Sequence, residues 1–280
     1  MKEMFDDDLY NIEWRDIENA EMDYENYLDD IEGFFKEDFE DEEEINSETI
    51  ANMKTQETLK QGFDGIIACE YSGIVREAFN NKGFNFMSCD FLPTEQPGNH
   101  YQGDILDIIN NHHNVFIGSH PECTYMTNSG VRWLWNKDGS KNHDRWVKLE
   151  LSVKFFNLLK SKIKIGYLEN PIPHKYARDG FHSVLNGEWV GGIGNYTQVI
   201  QPWQHGHGET KATCLWLIGL PDLRPSNIVE GREQRIWKLP PGENRWKERS
   251  RTFTGIANAM ADQWSPELIK FLHSLIKTKQ

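Results

Sequence analysis

Residues able to do chemistry gather in two short stretches, His120-Pro121-Glu122-Cys123-Thr124-Tyr125-Met126-Thr127-Asn128-Ser129-Gly130 and Glu169-Asn170-Pro171. Each follows an apolar run of strand length, residues 115–118 and 165–168. Cys69, Cys89 and Cys214 lie in apolar runs and read as buried, inert thiols, whereas Cys123 stands in a polar loop. A thiol and a carboxylate delivered by neighbouring strand ends are the pair that pyrimidine C5 chemistry needs. Carbon 5 of cytosine is a poor nucleophile until a thiolate adds at carbon 6. A carboxyl group bonded to N3 and the exocyclic amine stabilises the charge that develops. The adduct then attacks a methyl donor, loses the C5 proton to a base and expels the thiolate.

More acids follow the same rule. Residues 65–69 (GIIAC) run into Glu70-Tyr71-Ser72-Gly73, and residues 84–89 run into Asp90, 20 positions beyond Glu70. In an open parallel sheet, ligands bind beyond the carboxyl ends of the strands, where an acid after the second strand accepts hydrogen bonds from ribose hydroxyls. Gly73, opening a helix, would let a cofactor approach the backbone. The stretch lacks the three glycines of a dinucleotide fingerprint, which points to a nucleoside cofactor without pyrophosphate. One such acid alone is more often a helix cap or a solvated loop residue; a series at successive strand ends reverses those odds.

The elements that must position these groups alternate. Ile74, Ala78 and Phe79 suit a helix after the first strand, and Gly103-Asp104-Ile105 opens another helical turn. Trp146, Leu149, Val153, Phe156, Leu159 and Ile163 mark one face of a long helix. Such alternation predicts an α/β fold with a doubly wound, mostly parallel sheet covered on both faces. Residues 197–203 and 213–220 read as a hairpin at the sheet edge. Residues 221–251 read as a basic loop region, and residues 255–277 as a helix interrupted at Pro266.

Charge divides the chain in two. Residues 1–50 carry 21 acids against Lys2, Arg15 and Lys36, a net of -18 within a whole-chain charge of -14, which leaves the remainder at +4. A body of that charge tolerates a polyanionic partner without demanding one. Tyr24, Tyr27, Leu28, Ile31, Phe34, Phe35 and Phe39 recur at helical spacing within the acidic segment. Two readings stay open: a solvated appendage, or a helix that docks on its own DNA groove or on a protein partner. Residues 62–280 form the candidate catalytic domain. No stretch approaches the roughly 20 apolar residues of a membrane span. The first residues lack a basic start and apolar run, so a cytoplasmic, soluble protein is expected.

In order along the chain, GSHPECTYMTNSG resembles the Pro-Cys nucleophile loop of the DNA cytosine-5 methyltransferases, and LENP their Glu-Asn-Val motif. IIACEYSG is similar to their first cofactor motif. Thr254-Gly255-Ile256-Ala257-Asn258-Ala259-Met260 is similar to their C-terminal Gly-Asn-Ala-Val helix. The likeness spans roughly residues 63–265 and is nearest to the compact, phage-type relatives. It implies a Rossmann-like class I methyltransferase fold, S-adenosylmethionine as cofactor and 5-methylcytosine as product. Cys123 and Glu169 would be catalytic, with Lys211 a substitute for the arginines that steady the flipped base. Glu70, Ser72, Gly73, Asp90, Asp104, Ile105 and Asn258 would bind the cofactor. Three departures stand out: Glu122 replaces the usual second proline, Lys211 stands in a Gln-x-Arg-x-Arg position, and only about 30 residues remain for target recognition. A carboxylate beside the thiol raises its pKa unless it points away.

Arg132, Arg232, Arg235, Arg245, Arg249 and Arg251 are the candidate nucleic-acid contacts, the last five in a stretch that also holds Trp237 and Trp246. Trp133 and Trp135 either wall a base pocket or belong to the core. His205 and His207 lack a fitting further ligand, so no metal is expected. Two other functions remain open: a non-catalytic binding or regulatory protein on the same fold, and the same chemistry on RNA or a free pyrimidine nucleotide.

Overall fold

The computed structural model describes residues 62–110, 112, 114–242 and 245–277; the acidic segment 1–50, with its expected helix, lies outside them. Short apolar runs alternate with helices in the order β1 (Gly65–Ala68), α1 (Ile74–Asn80), β2 (Phe86–Asp90), β3 (His100–Gln102), α2 (Ile105–Ile109) and β4 (Phe116–Ser119). A 3-10 turn (Asn128–Leu134), α3 (His143–Lys162), β5 (Gly166–Pro171), α4 (Lys175–Asp179), β6 (Gly180–His182) and β7 (Trp189–Gly191) come next. The described elements close with β8 (Gln198–Ile200), β9 (Thr213–Ile218), α5 (Arg245–Ser250) and α6 (Thr254–Lys277).

Seven strands form one sheet in the order β3-β2-β1-β4-β5-β9-β8. The first five in that row are parallel, and β9 runs antiparallel to both β5 and β8. The chain therefore winds outward from β1 in both directions, and the winding reverses between β1 and β4, the place where such sheets take ligands. The α/β, mostly parallel sheet expected from the sequence is present. So is the edge hairpin, with β8 outermost.

Strand alternation sends side chains to two helical layers. On one face, Phe79 of α1 stacks on Phe86 at 4.4 Å, and Phe116, Tyr167 and Trp264 of α6 continue that aromatic core. On the other face, Phe156 of α3 meets Trp216 of β9 at 5.0 Å. Gly118 has no side chain because a Cβ there would stand 2.6 Å from the Tyr167 ring. That vacancy lets Tyr167 lie across β4.

Two expectations are corrected. The C-terminal helix is not interrupted at Pro266: α6 runs unbroken through it. Pro266 is exposed, as is Asp262, whose carbonyl loses its helical donor, so water can satisfy that group, and the Ser265 hydroxyl donates to the Ala261 carbonyl one turn earlier. The basic stretch is not wholly loop, since it contains α5. It also divides: residues 235–251 group apart from residues 62–234 and 252–277. Among the described residues, no helix is long and apolar enough to cross a membrane.

Candidate active site

Register places the chemistry. Ala68 of β1 pairs with Cys89 of β2 and with Ser119 of β4, and Ser119 pairs with Leu168 of β5. The next residue on each strand is therefore Cys69, Asp90, His120 and Glu169, a row along one rim. The antiparallel β9 starts at this same rim, because Thr213 pairs with Pro171, and it carries Lys211 just ahead of it.

The Cys123 loop is fastened to the chain that follows β5. The Asn128 amide donates to the Ile172 carbonyl at 2.8 Å and the His174 amide to the Met126 carbonyl at 3.0 Å. His174 Nε2 sits 2.8 Å from the Tyr125 carbonyl, while Nδ1 accepts from the Ala177 amide at the start of α4. The Met126 and Thr127 amides both donate to the Cys123 carbonyl, closing a tight turn on the cysteine. Cys123 is half-buried and in no disulfide, and Glu122 beside it is exposed, so solvent screens its charge.

His120, Glu169, Lys211 and Thr213 line one cavity with Ile200, Thr252, Phe253, Ile256 and Met260. Thus His120, Glu169 and Lys211 share the cavity with apolar side chains from β8, from α6 and from Phe253 just ahead of it. Cys123 is not part of that lining. The sequence gives no role to His120 within its stretch; its Nε2 lies 2.8 Å from the hydroxyl of the fully buried Tyr167. Burial, then the charges of Glu70 and Glu169, hold the Tyr167 phenol well above its usual pKa, so it stays protonated. The only sequence signal was the place of His120 one residue beyond a strand.

On the β1–β2 side, the acids divide into two roles. Glu70 is buried and caps α1: its carboxylate accepts from the Val75 amide at 2.7 Å, the Arg76 amide at 3.3 Å and the Ser72 hydroxyl at 3.2 Å. Gly73 takes φ 70, and the space a Cβ would need holds the Arg76 guanidinium and Gln96, so its bareness makes room for protein here. Asp104 caps α2 through the Leu106 amide, and Ile105 is buried. Asp90 differs. Burial lifts its pKa above the usual aspartate value and Glu70 adds to this, against the Leu92 amide, which donates to it, and the charge of His120. Phe91 next to it is 61% exposed, a flat aromatic face at the rim that sequence reading did not single out.

Cys69, between β1 and Glu70, is a non-glycine residue held at φ 57, a strained conformation typical of functional turns. Burial, then Asp90 and Asp104, push its thiol up. Beneath the rim lies a buried arginine the sequence did not announce. Arg76 donates to the Ser88 hydroxyl at 2.8 Å and to the Gln96 and Pro97 carbonyls at 2.7 and 3.0 Å. Ser88 in turn meets His100 Nδ1 at 2.8 Å, and His100 Nε2 meets the Leu92 carbonyl at 2.9 Å. The segment after Asp90 is pinned from below by this chain of bonds.

The candidate nucleic-acid residues are scattered. Arg132 lies over the Trp133 ring at 4.3 Å, and Arg232 over Trp203 at 3.8 Å. Arg235, Arg245, Arg249 and Arg251 belong to the separate unit 235–251, where Arg251 pairs with Glu248. Trp135 packs its ring on Trp146 and Tyr176 yet stays 39% exposed. Lys141 over Trp146, just ahead of α3, and Arg145 and Lys148 of α3 around Tyr125 are further cations that the sequence did not flag. Asn258 is exposed on α6. His205 bonds Ser226, and His207 Nε2 accepts from the Gly255 amide at the start of α6. No family model matches the chain, and no curated protein matches it.

Proposed function

We propose that this chain transfers a methyl group from S-adenosylmethionine to carbon 5 of cytosine in DNA, with Cys123 as the nucleophile. The observation that carries the proposal is the cavity at the C-terminal rim, where Glu169 and Lys211 face one another's strand ends. The Cys123 loop is bonded to the segment leaving Glu169. Under this reading the sheet is a Rossmann-like, class I methyltransferase scaffold.

The residues divide the work. Cys123 adds to carbon 6, and the Glu169 carboxyl holds N3 and the exocyclic amine, so charge arising on the ring meets a fixed donor in a site partly shielded from water. Lys211 and Thr213 bracket the base edge from β9. S-adenosylmethionine supplies an electrophilic methyl group on a cationic sulfonium. The donor set fits it: Asp90 is a partly desolvated carboxylate that gains from ribose hydroxyls, and Phe91 offers a stacking face. The nearby carboxylates of Asp90 and Asp104 favour a cation over an anion. A base attacked from this rim must leave its stack, and Arg132, Arg145 and Lys148 are cations suited to hold the flanking phosphates.

Replacing Cys123→Ala should lower methyl transfer at least about a thousandfold while cofactor binding stays within a few fold. Labelled cofactor and duplex DNA, followed by nucleoside analysis, measure this. Retained transfer in the variant would remove the nucleophile. A duplex carrying 5-fluorocytosine should form a denaturant-stable adduct with the native chain, whereas a non-catalytic binding protein forms none.

A further inference from the structure

The geometry points to His120 as the base that removes the C5 proton, held in place by Tyr167. This rests on the cytosine reading above and goes beyond it, because the reaction leaves one proton without an acceptor. Among the cavity-lining groups, Glu169 is committed to the base edge and Lys211 is a cation, so neither takes that proton readily. An imidazole nitrogen is the remaining acceptor for it.

Two anchors fix the ring. The His120 amide donates to the Ala68 carbonyl at 3.0 Å, which ties the residue's backbone to the end of β1. Its Nε2 lies 2.8 Å from the Tyr167 hydroxyl, on the neighbouring strand. Both anchors are regular strands, and Tyr167 itself is fully buried across Gly118. The titratable groups around the ring are Asp90, Glu169 and Lys211, with Tyr167 protonated.

The step balances as follows. After methyl transfer, carbon 5 bears a methyl group and a hydrogen, and carbon 6 bears the Cys123 sulfur. An imidazole nitrogen of His120 takes the hydrogen as a proton. The C5–H electron pair becomes the C5–C6 double bond, and the C6–S pair departs with the Cys123 thiolate. The imidazolium then yields its proton to solvent, restoring the starting state. His120 is thereby a catalytic residue, and Tyr167 a positioning residue that acts through it.

The test separates this step from those before it. His120→Gln should trap 5-fluorocytosine DNA as fast as the native chain, since fluorine blocks only elimination. With ordinary cytosine DNA, it should accumulate a methylated covalent adduct, and product formation should fall by about 10²–10⁴-fold. Tyr167→Phe, which removes one hydroxyl and keeps the ring, should show the same accumulation with a smaller fall. Native elimination rates in His120→Gln overturn the assignment, as does loss of its 5-fluorocytosine adduct. Should that variant not fold, native elimination in Tyr167→Phe overturns it. A native chain that forms no 5-fluorocytosine adduct sinks the underlying cytosine reading instead, and the base with it.

Discussion

Asp90 shows how a single residue can serve a site against the stability of its fold. Its carboxyl is raised above the usual aspartate pKa by burial, with Glu70 close by. A raised acid favours the folded state only while protonated: its contribution is present below the unfolded pKa and lost as pH rises through the folded value. When ionised, the group is therefore a liability that a ligand with hydroxyl donors would relieve. Asp90→Asn should raise the melting temperature at pH 7, and the gap from the native chain should close as pH falls toward 4. The same change should weaken S-adenosylmethionine about 10–100-fold, the scale of one hydrogen bond to a charged group. Calorimetry at several pH values and a binding titration check both signs. Glu70 was legible as an acid at a strand end, yet its carboxylate is turned to the amides of α1. Sequence gave its position along the chain; which donors it met was decided by how tightly the turn closes.

At the scale of elements, α6 carries the clearest lesson. Ile256, Ala257, Met260, Trp264 and Leu268 recur at helical spacing and are all buried, so packing on the sheet holds the helix through a residue that breaks helices. Pro266 sits on the exposed side, where nothing but the helix's own ladder suffers. Pro266→Ala should thus raise stability by about 1–3 kcal/mol, read as a shift in the urea midpoint at unchanged slope. A lower midpoint would contradict this account. The 3-10 turn and the Cys123 loop behave oppositely. They have little periodic pattern, and their form comes from hydrogen bonds to Ile172 and from His174, dozens of positions away. No local signal encodes such partners.

Over the described molecule, three histidines, two buried and one half-buried, set a common response to acid. His100, His174 and His205 all have pKa values lowered chiefly by burial. His174 and His100 also use both ring nitrogens in neutral-form bonds, so protonation would cost His174 its cap on α4. A lowered histidine stabilises the fold above the unfolded value of about 6.5, and that stability is lost as pH falls below it, by up to about 1.4 kcal/mol per pH unit for each group. Stability by urea titration should hold near pH 7.5 and decline from about pH 6.5 to 5. A flat profile over that range would show the rings are not held neutral. Because His174 fastens the Cys123 loop to the segment after β5, activity should fade over the same interval.

Alternating apolar runs were enough to reveal a mostly parallel α/β sheet and to put Glu70, Asp90 and Glu169 at or next to strand ends, with Cys123 in the loop after another. Periodicity and breakers act over a few residues, so the chain carries them openly. Only tertiary structure decided that Tyr167 reaches His120 across 47 positions, that Lys211 shares a cavity with Glu169, and that Arg76 lies buried under the loop after Asp90. Those pairings follow from strand order and register, which arise when the sheet closes and leave no periodic mark in the sequence.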